Sequence, residues 1–305
     1  MKISIVIVTY NGMQWLAKCL ASIPKTYTVI AVDNKSTDGT CDFIKENHPE
    51  VQLFPQNKNL GFGRGNNLGI QIALSQDAEA VFLLNQDAYL NPDTIDLLVK
   101  AQQSHPEYGV LSPVHFNGSH TLLDRNFANY MQYDKCKDFY TDAYTGKLKE
   151  LYEVPFVNAA AWFIPKSTLE TIGGFDPIFS HYGEDDNYLQ RVRYHNLKVG
   201  VVAQSTICHD REDRPTETPE QYSDRYFILL ERKWKIWYAN PNDTKVDQKM
   251  DTLLSQLKSR SLRRLLQLDL RSYKGMQKEI ALLHKTRTEV TQSRAINMNQ
   301  GKQYL

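Results

Sequence analysis

Polar side chains able to bind a ligand follow three apolar segments in the first third of the chain. In sequence order they are Thr9, Tyr10 and Asn11, then Asp33 and Asn34, then Asn85, Gln86 and Asp87. If the apolar segments are parallel strands, their carboxyl ends meet at one edge of a sheet, where open α/β sheets bind ligands. The alternative is that each group only caps the helix that follows it. Three such groups together favour a binding crevice.

A run of three carboxylates, Glu184, Asp185 and Asp186, stands at the start of a predicted helix in the second half of the chain. Negative charge at a helix N-terminus interacts favourably with the helix dipole. Taken alone, the run needs no chemical role.

The spacing of apolar residues predicts the elements that would position these groups. The predicted strands are 3–9, 27–33, 51–54, 80–85 and 198–207, and the predicted helices include 37–47, 92–104 and 222–238. Strands that alternate with helices indicate an α/β fold with a mainly parallel central sheet, flanked by helices and joined by right-handed crossovers. Residues 115–153 have no strong period and are predicted to form loops.

The charge is unevenly distributed. From residue 245 to 305 there are 13 Lys and Arg against 5 Asp and Glu, whereas the whole chain has a net charge of +1. Leucines recur at helical spacing in this basic part, which predicts two helices. We therefore expect an α/β domain at 1–240 and a basic helical extension at 241–305. The extension either contacts anionic lipid or packs on the domain or on a second subunit.

Composition narrows the class of protein. No apolar run is long enough to cross a bilayer or to serve as a signal peptide. The four cysteines are scattered, which fits a reducing cytoplasm. No nucleic-acid-binding motif accompanies the basic residues, so we expect no nucleic-acid partner. A P-loop is absent, and the glycine-rich segment at 59–69 does not have the dinucleotide-binding spacing.

Four motifs in order resemble the inverting GT-A glycosyltransferases of family 2, especially rhamnosyltransferase-like enzymes of bacterial surface polysaccharides. The motifs are V-I-V-T-Y-N at 6–11, V-D-N-K-S-T-D-G-T at 32–40, N-L-G-F-G-R-G-N-N-L-G at 59–69, and G-G-F-D at 173–176 followed by G-E-D at 183–185. The resemblance covers about residues 3–240. It implies a GT-A fold and the transfer of a sugar from a UDP- or dTDP-sugar to an acceptor hydroxyl with inversion.

The resemblance also implies a donor-binding set. Its members are Thr9, Tyr10, Asn11, Asp33, Asn34, Asn59, Gly61, Arg64, Asn67, Asn85 and Asp87. A carboxylate such as Asp33 can accept the imide N–H of uracil or thymine. Arg64 is interpreted either as a diphosphate contact or as a solvated surface side chain.

The remaining implied roles concern catalysis. Asp87 occupies the metal position, with Mn²⁺ or Mg²⁺ expected to neutralise the leaving diphosphate. Asn85 replaces the first Asp of the usual D-x-D pattern, and His209 is either a structural side chain or a further metal ligand. Asp185 corresponds to the general base that takes the acceptor proton, and Glu184 to an acceptor-sugar contact.

Two other functions remain open at this level. One is a non-catalytic module that binds a nucleotide-sugar through the same fold, because Asn85 removes a carboxylate. The other is a sugar nucleotidyltransferase, although residues 11–14 lack its glycine-rich, basic phosphate loop.

For a transferase we expect a carbohydrate or lipid-linked saccharide acceptor and a cytoplasmic location, with peripheral contact at the inner face of the membrane through the basic helices. A dTDP-rhamnose donor is suggested by the Asp33 and Asn85 motifs.

Overall fold

A computed structural model describes residues 1–211 and 218–305. Its first half contains β1 (Ile3–Thr9), α1 (Met13–Ala21), β2 (Thr28–Asp33), α2 (Thr40–Asn47), β3 (Gln52–Pro55), α3 (Phe62–Ser75) and β4 (Ala80–Asn85). The four strands are parallel and lie in the order β3-β2-β1-β4. The predicted strand–helix alternation is therefore confirmed in this half.

The second half extends the same sheet with strands of both directions. Its elements are β5 (Ala88–Leu90), α4 (Thr94–Ser104), β6 (Tyr108–Asn117), α5 (Arg125–Tyr130), α6 (Phe139–Thr145), β7 (Leu151–Glu153), β8 (Ala161–Pro165), α7 (Lys166–Ile172), α8 (Glu184–Tyr194) and β9 (Lys198–His209). The order continues β4-β8-β6-β9-β5, with β8 antiparallel to both of its neighbours. The region predicted as loops contains the short elements α5, α6 and β7. They were not predicted because their apolar residues have no regular spacing.

The sheet is covered on both faces, which explains the unbroken apolar character of β1. Val6 contributes to a hydrophobic cluster on one face, while Ile5 and Ile7 contribute to a cluster on the other. All three side chains are fully buried. Burial of β1 and its neighbours fixes the position of the polar residues that follow each strand.

Three further helices, α9 (Asp224–Tyr238), α10 (Val246–Leu266) and α11 (Leu270–Asn297), form a third hydrophobic cluster. Phe179, from the loop before α8, packs into this cluster and ties it to the α/β part. Within the described ranges, no helix is both long and apolar enough to cross a membrane.

The end of α11 and the residues after it pack on the loop that follows α7. Asp176 accepts hydrogen bonds from Ser293 Oγ at 2.6 Å and from Asn297 Nδ2 at 2.7 Å. The amide of Gly174 donates to the carbonyl of Gln303 at 2.8 Å. Residues predicted to form an extension thus support the loop that leads to the acidic helix α8.

Candidate active site

The ends of β1 and β2 are joined by a buried carboxylate. Asp33 Oδ1 accepts from the hydroxyls of Thr9 and Ser36 at 2.8 and 2.5 Å, and its Oδ2 accepts from the amide of Ser36 at 2.8 Å. Thr9 and Asp33 are both almost completely buried. The structure therefore brings these two predicted residues together, and their present bonds organise the loop after β2.

The loop after β1 is exposed and is held by its neighbours. Tyr10 exposes 49% of its surface, and the exposed Asn11 has a positive φ of 46°. Asn11 Oδ1 accepts from the amide of Thr37 at 2.9 Å. Gln86 binds the main chain of Tyr10 twice, accepting from its amide at 2.9 Å and donating to its carbonyl at 3.1 Å. The sequence identified Gln86 only as one of the polar residues after the fourth predicted strand, and in the structure it connects the polar ends of β1 and β4.

The glycine-rich segment is fixed by two asparagines. Asn34 donates to the carbonyl of Gly61 at 3.2 Å and accepts from the amide of Leu60 at 3.2 Å. Asn59 Oδ1 accepts from the amide of Gly61 at 2.8 Å. Gly61 has φ 79°, and a Cβ there would lie 2.6 Å from the carbonyl oxygen of Ser180. These predicted donor-binding residues lie together: the side chains of Asn34 and Asn59 fix the segment, and Gly61 lies against the loop before α8.

Two further predicted donor-binding residues point into that same loop. Asn67 is buried and bonds to both main-chain groups of Phe175. Arg64 donates through Nη2 to the carbonyl of Pro177 at 3.1 Å. Arg64 is exposed and its guanidinium also contacts the main chain of the protein, so both interpretations of this side chain stay predictions.

Asp87 and His209 meet where β5 pairs with the end of β9. His209 Nε2 lies 3.5 Å from Asp87 Oδ1, and the amide of Asp210 donates to the carbonyl of Asp87 at 2.7 Å. Burial alone would raise the pKa of Asp87, but the hydrogen bond and charge of His209 outweigh it and hold the pKa below its usual range. Asp87 is therefore ionised at neutral pH.

Buried groups support this pair. The ring of His115 packs edge-on to that of His209 at 6.0 Å, and its Nε2 lies 3.0 Å from Ser112 Oγ. Burial keeps the pKa of His115 well below its ordinary value, so its imidazole is neutral. Arg211 binds both carboxylate oxygens of Asp124 at 2.8 and 3.3 Å. Neither residue was identified from the sequence, since His115 lies within a predicted loop and Arg211 belongs to no motif.

The donor atoms at this edge suit a divalent cation. Asp87 supplies a carboxylate and His209 an imidazole, and the buried Oδ1 of Asn85 has no hydrogen-bond partner in the described ranges. A set of oxygen ligands together with one nitrogen ligand is compatible with Mn²⁺. Within residues 1–211 and 218–305, no three His, Cys, Asp or Glu side chains are grouped closely enough to hold a metal. A cation here would need oxygen ligands from a bound diphosphate or water.

The three carboxylates that begin α8 differ in their environment. Glu184 is 5% exposed and its Oε2 has no partner among the described residues. Burial, together with the charge of Asp185, raises the pKa of Glu184 to about 7. Burial also raises the pKa of Asp185, although amides including those of Asp186 and Ala159 donate to its carboxylate and oppose the increase. Asp185 and Asp186 are both partly exposed, whereas Glu184 is buried.

Tyr130 and Arg211 interact electrostatically with acidic residues described above. Burial raises the pKa of Tyr130, and the charge of Asp185 adds to that increase while the charge of Arg211 opposes it. Arg211 also acts on Asp87. Tyr130 lies in the segment predicted as loops, where no sequence signal marked it.

Comparisons with known proteins agree with this architecture. Residues 4–173, more than half of the chain, match the model of Glycosyl transferase family 2. The chain is 24% identical over 257 residues to the low-salt glycan biosynthesis hexosyltransferase of Haloferax volcanii, covering 84% of this chain and 81% of that protein. It is also 24% identical to the N-acetylglucosaminyl-diphospho-decaprenol L-rhamnosyltransferase of Mycobacterium tuberculosis, covering 77% of this chain and 86% of that one.

Solved structures share the fold. S. aureus TarS in complex with UDP-GlcNAc superposes with a TM-score of 0.57 at 15% identity, covering 98% of this chain and 90% of that chain. The mannosyltransferase PcManGT of Pyrobaculum calidifontis, in complex with GDP-Man and Mn²⁺, gives 0.55 at 17% identity, covering 97% and 86%. The expected GT-A fold is confirmed. With the family match over residues 4–173, this chain belongs to glycosyltransferase family 2 and is a glycosyltransferase of glycan biosynthesis.

Proposed function

We propose that the protein transfers a sugar from a nucleoside-diphosphate-sugar to an acceptor hydroxyl, with inversion at the anomeric carbon and with the help of a divalent cation. Two groups support this proposal: Asp87, whose Oδ1 lies 3.5 Å from His209 Nε2, and Asp185, among the carboxylates that begin α8. The first group suits a leaving diphosphate and the second suits an attacking hydroxyl.

On the acceptor side, Asp185 removes the proton of the hydroxyl as its oxygen forms the new bond to the anomeric carbon. The bond from that carbon to the diphosphate oxygen breaks on the opposite face, and the diphosphate leaves with the electron pair. The raised pKa of Asp185 makes it a stronger base than an ordinary aspartate. Glu184, buried beside it, is placed to orient the acceptor sugar.

On the donor side, Asp87 and His209 would hold Mn²⁺ or Mg²⁺, which neutralises the charge that builds up on the leaving diphosphate. The positive charge of Arg211, which pairs with Asp124, also helps to lower the pKa of Asp87. The nucleoside is expected to lie over the exposed Tyr10 and Asn11, on the loop that Gln86 holds in place. UDP and dTDP are the proposed nucleotides, and dTDP-rhamnose is the first donor to test.

The relatives suggest the acceptor. The mycobacterial protein is named for an N-acetylglucosaminyl-diphospho-decaprenol substrate, so a saccharide linked to a lipid diphosphate is the proposed acceptor class. Such an acceptor would be met at the cytoplasmic face of a membrane.

Donor turnover tests the proposal and its two rivals. The protein is incubated with a panel of UDP- and dTDP-sugars, with and without Mn²⁺, and released nucleoside diphosphate is measured. Transfer is then assayed with N-acetylglucosaminyl-diphospho-polyprenol for wild type, Asp185→Asn and a control, Asp42→Asn, which changes an exposed carboxylate on α2.

We expect Mn²⁺-stimulated release from one donor, and transfer that Asp185→Asn lowers by about 10²–10⁴-fold while Asp42→Asn does not. Tight nucleotide binding with no release and no transfer would identify a non-catalytic module. Formation of the nucleotide-sugar from a nucleoside triphosphate and a sugar phosphate would identify a nucleotidyltransferase. A folded protein that binds no nucleotide would exclude all three functions.

A further inference from the structure

The turn between α10 and α11 exposes leucines in place of polar residues. Leu266 and Leu268 are 77% and 83% exposed, and Leu262, Leu265 and Leu270 are also exposed. We call residues 258–278 the hairpin tip. Leu262, Leu265 and Leu266 have the i, i+3, i+4 spacing that places side chains on one helix face. Leu268 has a positive φ of 56° and turns the chain between the helices. Apolar surface concentrated in this way is typical of an interaction site.

The hairpin tip is also strongly basic. Its seven Lys and Arg residues are opposed by one acidic residue, Asp269, which gives a net charge of +6. Arg264 lies 3.7 Å from Asp269, and Arg271 pairs with Glu220. The exposed Arg260 and Arg263 have no ion pair within the described residues. Leucines surrounded by cationic side chains are complementary to a surface that carries negative charge on its outside and is apolar beneath.

The tip is attached firmly to the rest of the molecule. Gly275 of α11 packs on the ring of Tyr222, so closely that a Cβ there would lie 2.4 Å from the ring, and Tyr226 of α9 bonds to Glu279. At the other end of α9, Ile236 packs on Gly183, immediately before the acidic residues of α8. Helix α9 therefore connects the tip to the acceptor side of the site.

We propose that the hairpin tip docks onto an anionic lipid bilayer, with its leucines below the headgroups and its Lys and Arg side chains at the level of the lipid phosphates. A two-fold contact between copies of this chain would instead place two sets of +6 charge opposite each other. Charge complementarity thus favours lipid over a second copy. The docking surface lies outside the proposed reaction site and does not depend on the transfer reaction.

Vesicle flotation tests the docking. The full chain is mixed with vesicles of phosphatidylcholine alone, or with about one third phosphatidylglycerol. The variants are Leu266→Ser/Leu268→Ser and Arg263→Gln/Arg264→Gln. The matched controls are Ile296→Ser, an exposed apolar residue at the far end of α11, and Lys58→Gln/Lys100→Gln, two exposed lysines elsewhere. Thermal unfolding verifies that each variant is folded, and donor hydrolysis and light scattering are measured on the same samples.

We expect wild type and both controls to float with the anionic vesicles and to bind phosphatidylcholine at least about tenfold more weakly. Each tip variant should lose about tenfold or more of the anionic binding, with donor hydrolysis unchanged. Wild type that does not float, or tip variants that float like the controls, would overturn the docking even if hydrolysis is normal. A fall in molecular mass of the tip variants without lipid would show a contact between copies instead.

Discussion

The side-chain amide of Asn67 binds both main-chain polar groups of Phe175. Nδ2 donates to the carbonyl at 2.8 Å and Oδ1 accepts from the amide at 2.7 Å, in a buried setting. This bond pair joins α3 to the loop that precedes α8. It also explains why position 174 is a glycine, since a Cβ there would lie 2.4 Å from Asn67 Oδ1. Asn67 thus fixes the loop that leads to the acidic helix α8 against α3.

Asn67→Ala is expected to lower the free energy of unfolding by about 2–4 kcal/mol, because two buried main-chain groups of Phe175 lose their partners. The matched control is Asn66→Ala. Asn66 is equally buried but bonds only to the carbonyl of Phe62 in its own helix, at 3.0 Å. Urea unfolding should show a clearly smaller loss for Asn66→Ala, and equal losses would contradict the bridging role of Asn67.

Gln86→Ala should weaken donor binding more than it weakens the fold. The change removes both bonds to the main chain of Tyr10, which lies exposed on the proposed nucleoside loop. We expect a rise of about five- to tenfold in the KM for donor, with less than about 1.5 kcal/mol lost from the free energy of unfolding. An unchanged KM would show that the Tyr10 loop does not need this support.

Glu184 makes stability depend on pH. Its folded-state pKa of about 7 exceeds the ordinary value of 4.5, so the folded state binds more protons than the unfolded state between these values. The resulting stability is complete below pH 4.5 and is lost as the pH rises through 7, by an amount on the order of 3 kcal/mol. Glu184→Gln removes the charge. It should therefore be more stable than wild type at pH 8, and the difference should shrink at pH 5.

Denaturant unfolding at the two pH values measures this difference. Glu50→Gln, which changes an exposed carboxylate outside the site, is the control and should not stabilise the protein at pH 8. If Glu184→Gln is no more stable than wild type at pH 8, the ionised Glu184 carboxylate does not destabilise the folded state.

The proposed metal site predicts opposite changes in Mn²⁺ binding for substitutions at Asp87 and Asn85. Asp87→Ala removes the carboxylate that faces His209 and should abolish measurable Mn²⁺ binding. Asn85→Asp adds a carboxylate beside it and should tighten Mn²⁺ binding, since oxygen-ligand charge raises affinity for a hard cation. Titration of free Mn²⁺ by electron paramagnetic resonance, with UDP present, measures both. Mn²⁺ binding by Asp87→Ala equal to that of wild type would place the cation elsewhere.

Patterns in the sequence predicted the first half of the fold well, because its strands and helices are long and periodic. They also located the acidic start of α8, and the predicted strand 198–207 stops two residues before the end of β9 at His209. The antiparallel insertion of β8 between β4 and β6 was not predicted, since a buried apolar run has the same appearance in either direction. Short elements such as α5, with Tyr130, carry too few residues for a period to be recognised.

Contacts inside the site were harder to predict than the residues that form it. Asp33 and Asn67 are both polar residues of motifs, yet each bonds to other parts of the chain, and Gln86 performs a supporting role with no motif of its own. Which polar groups face a ligand and which face the protein depends on pairings across 24 to 108 residues of sequence. Local patterns do not contain that information.

The contact between Gln303 and the loop at Gly173 and Gly174 bears on the order of events during biosynthesis. Ser293, Asn297 and Gln303 are made more than 100 residues after the loop they stabilise. While the chain is still growing on the ribosome, Asp176 and the loop around it lack these partners, so the loop before α8 remains immature. Non-local closure of this kind slows folding. The loop before α8 should therefore reach its final structure after the first half of the sheet has formed.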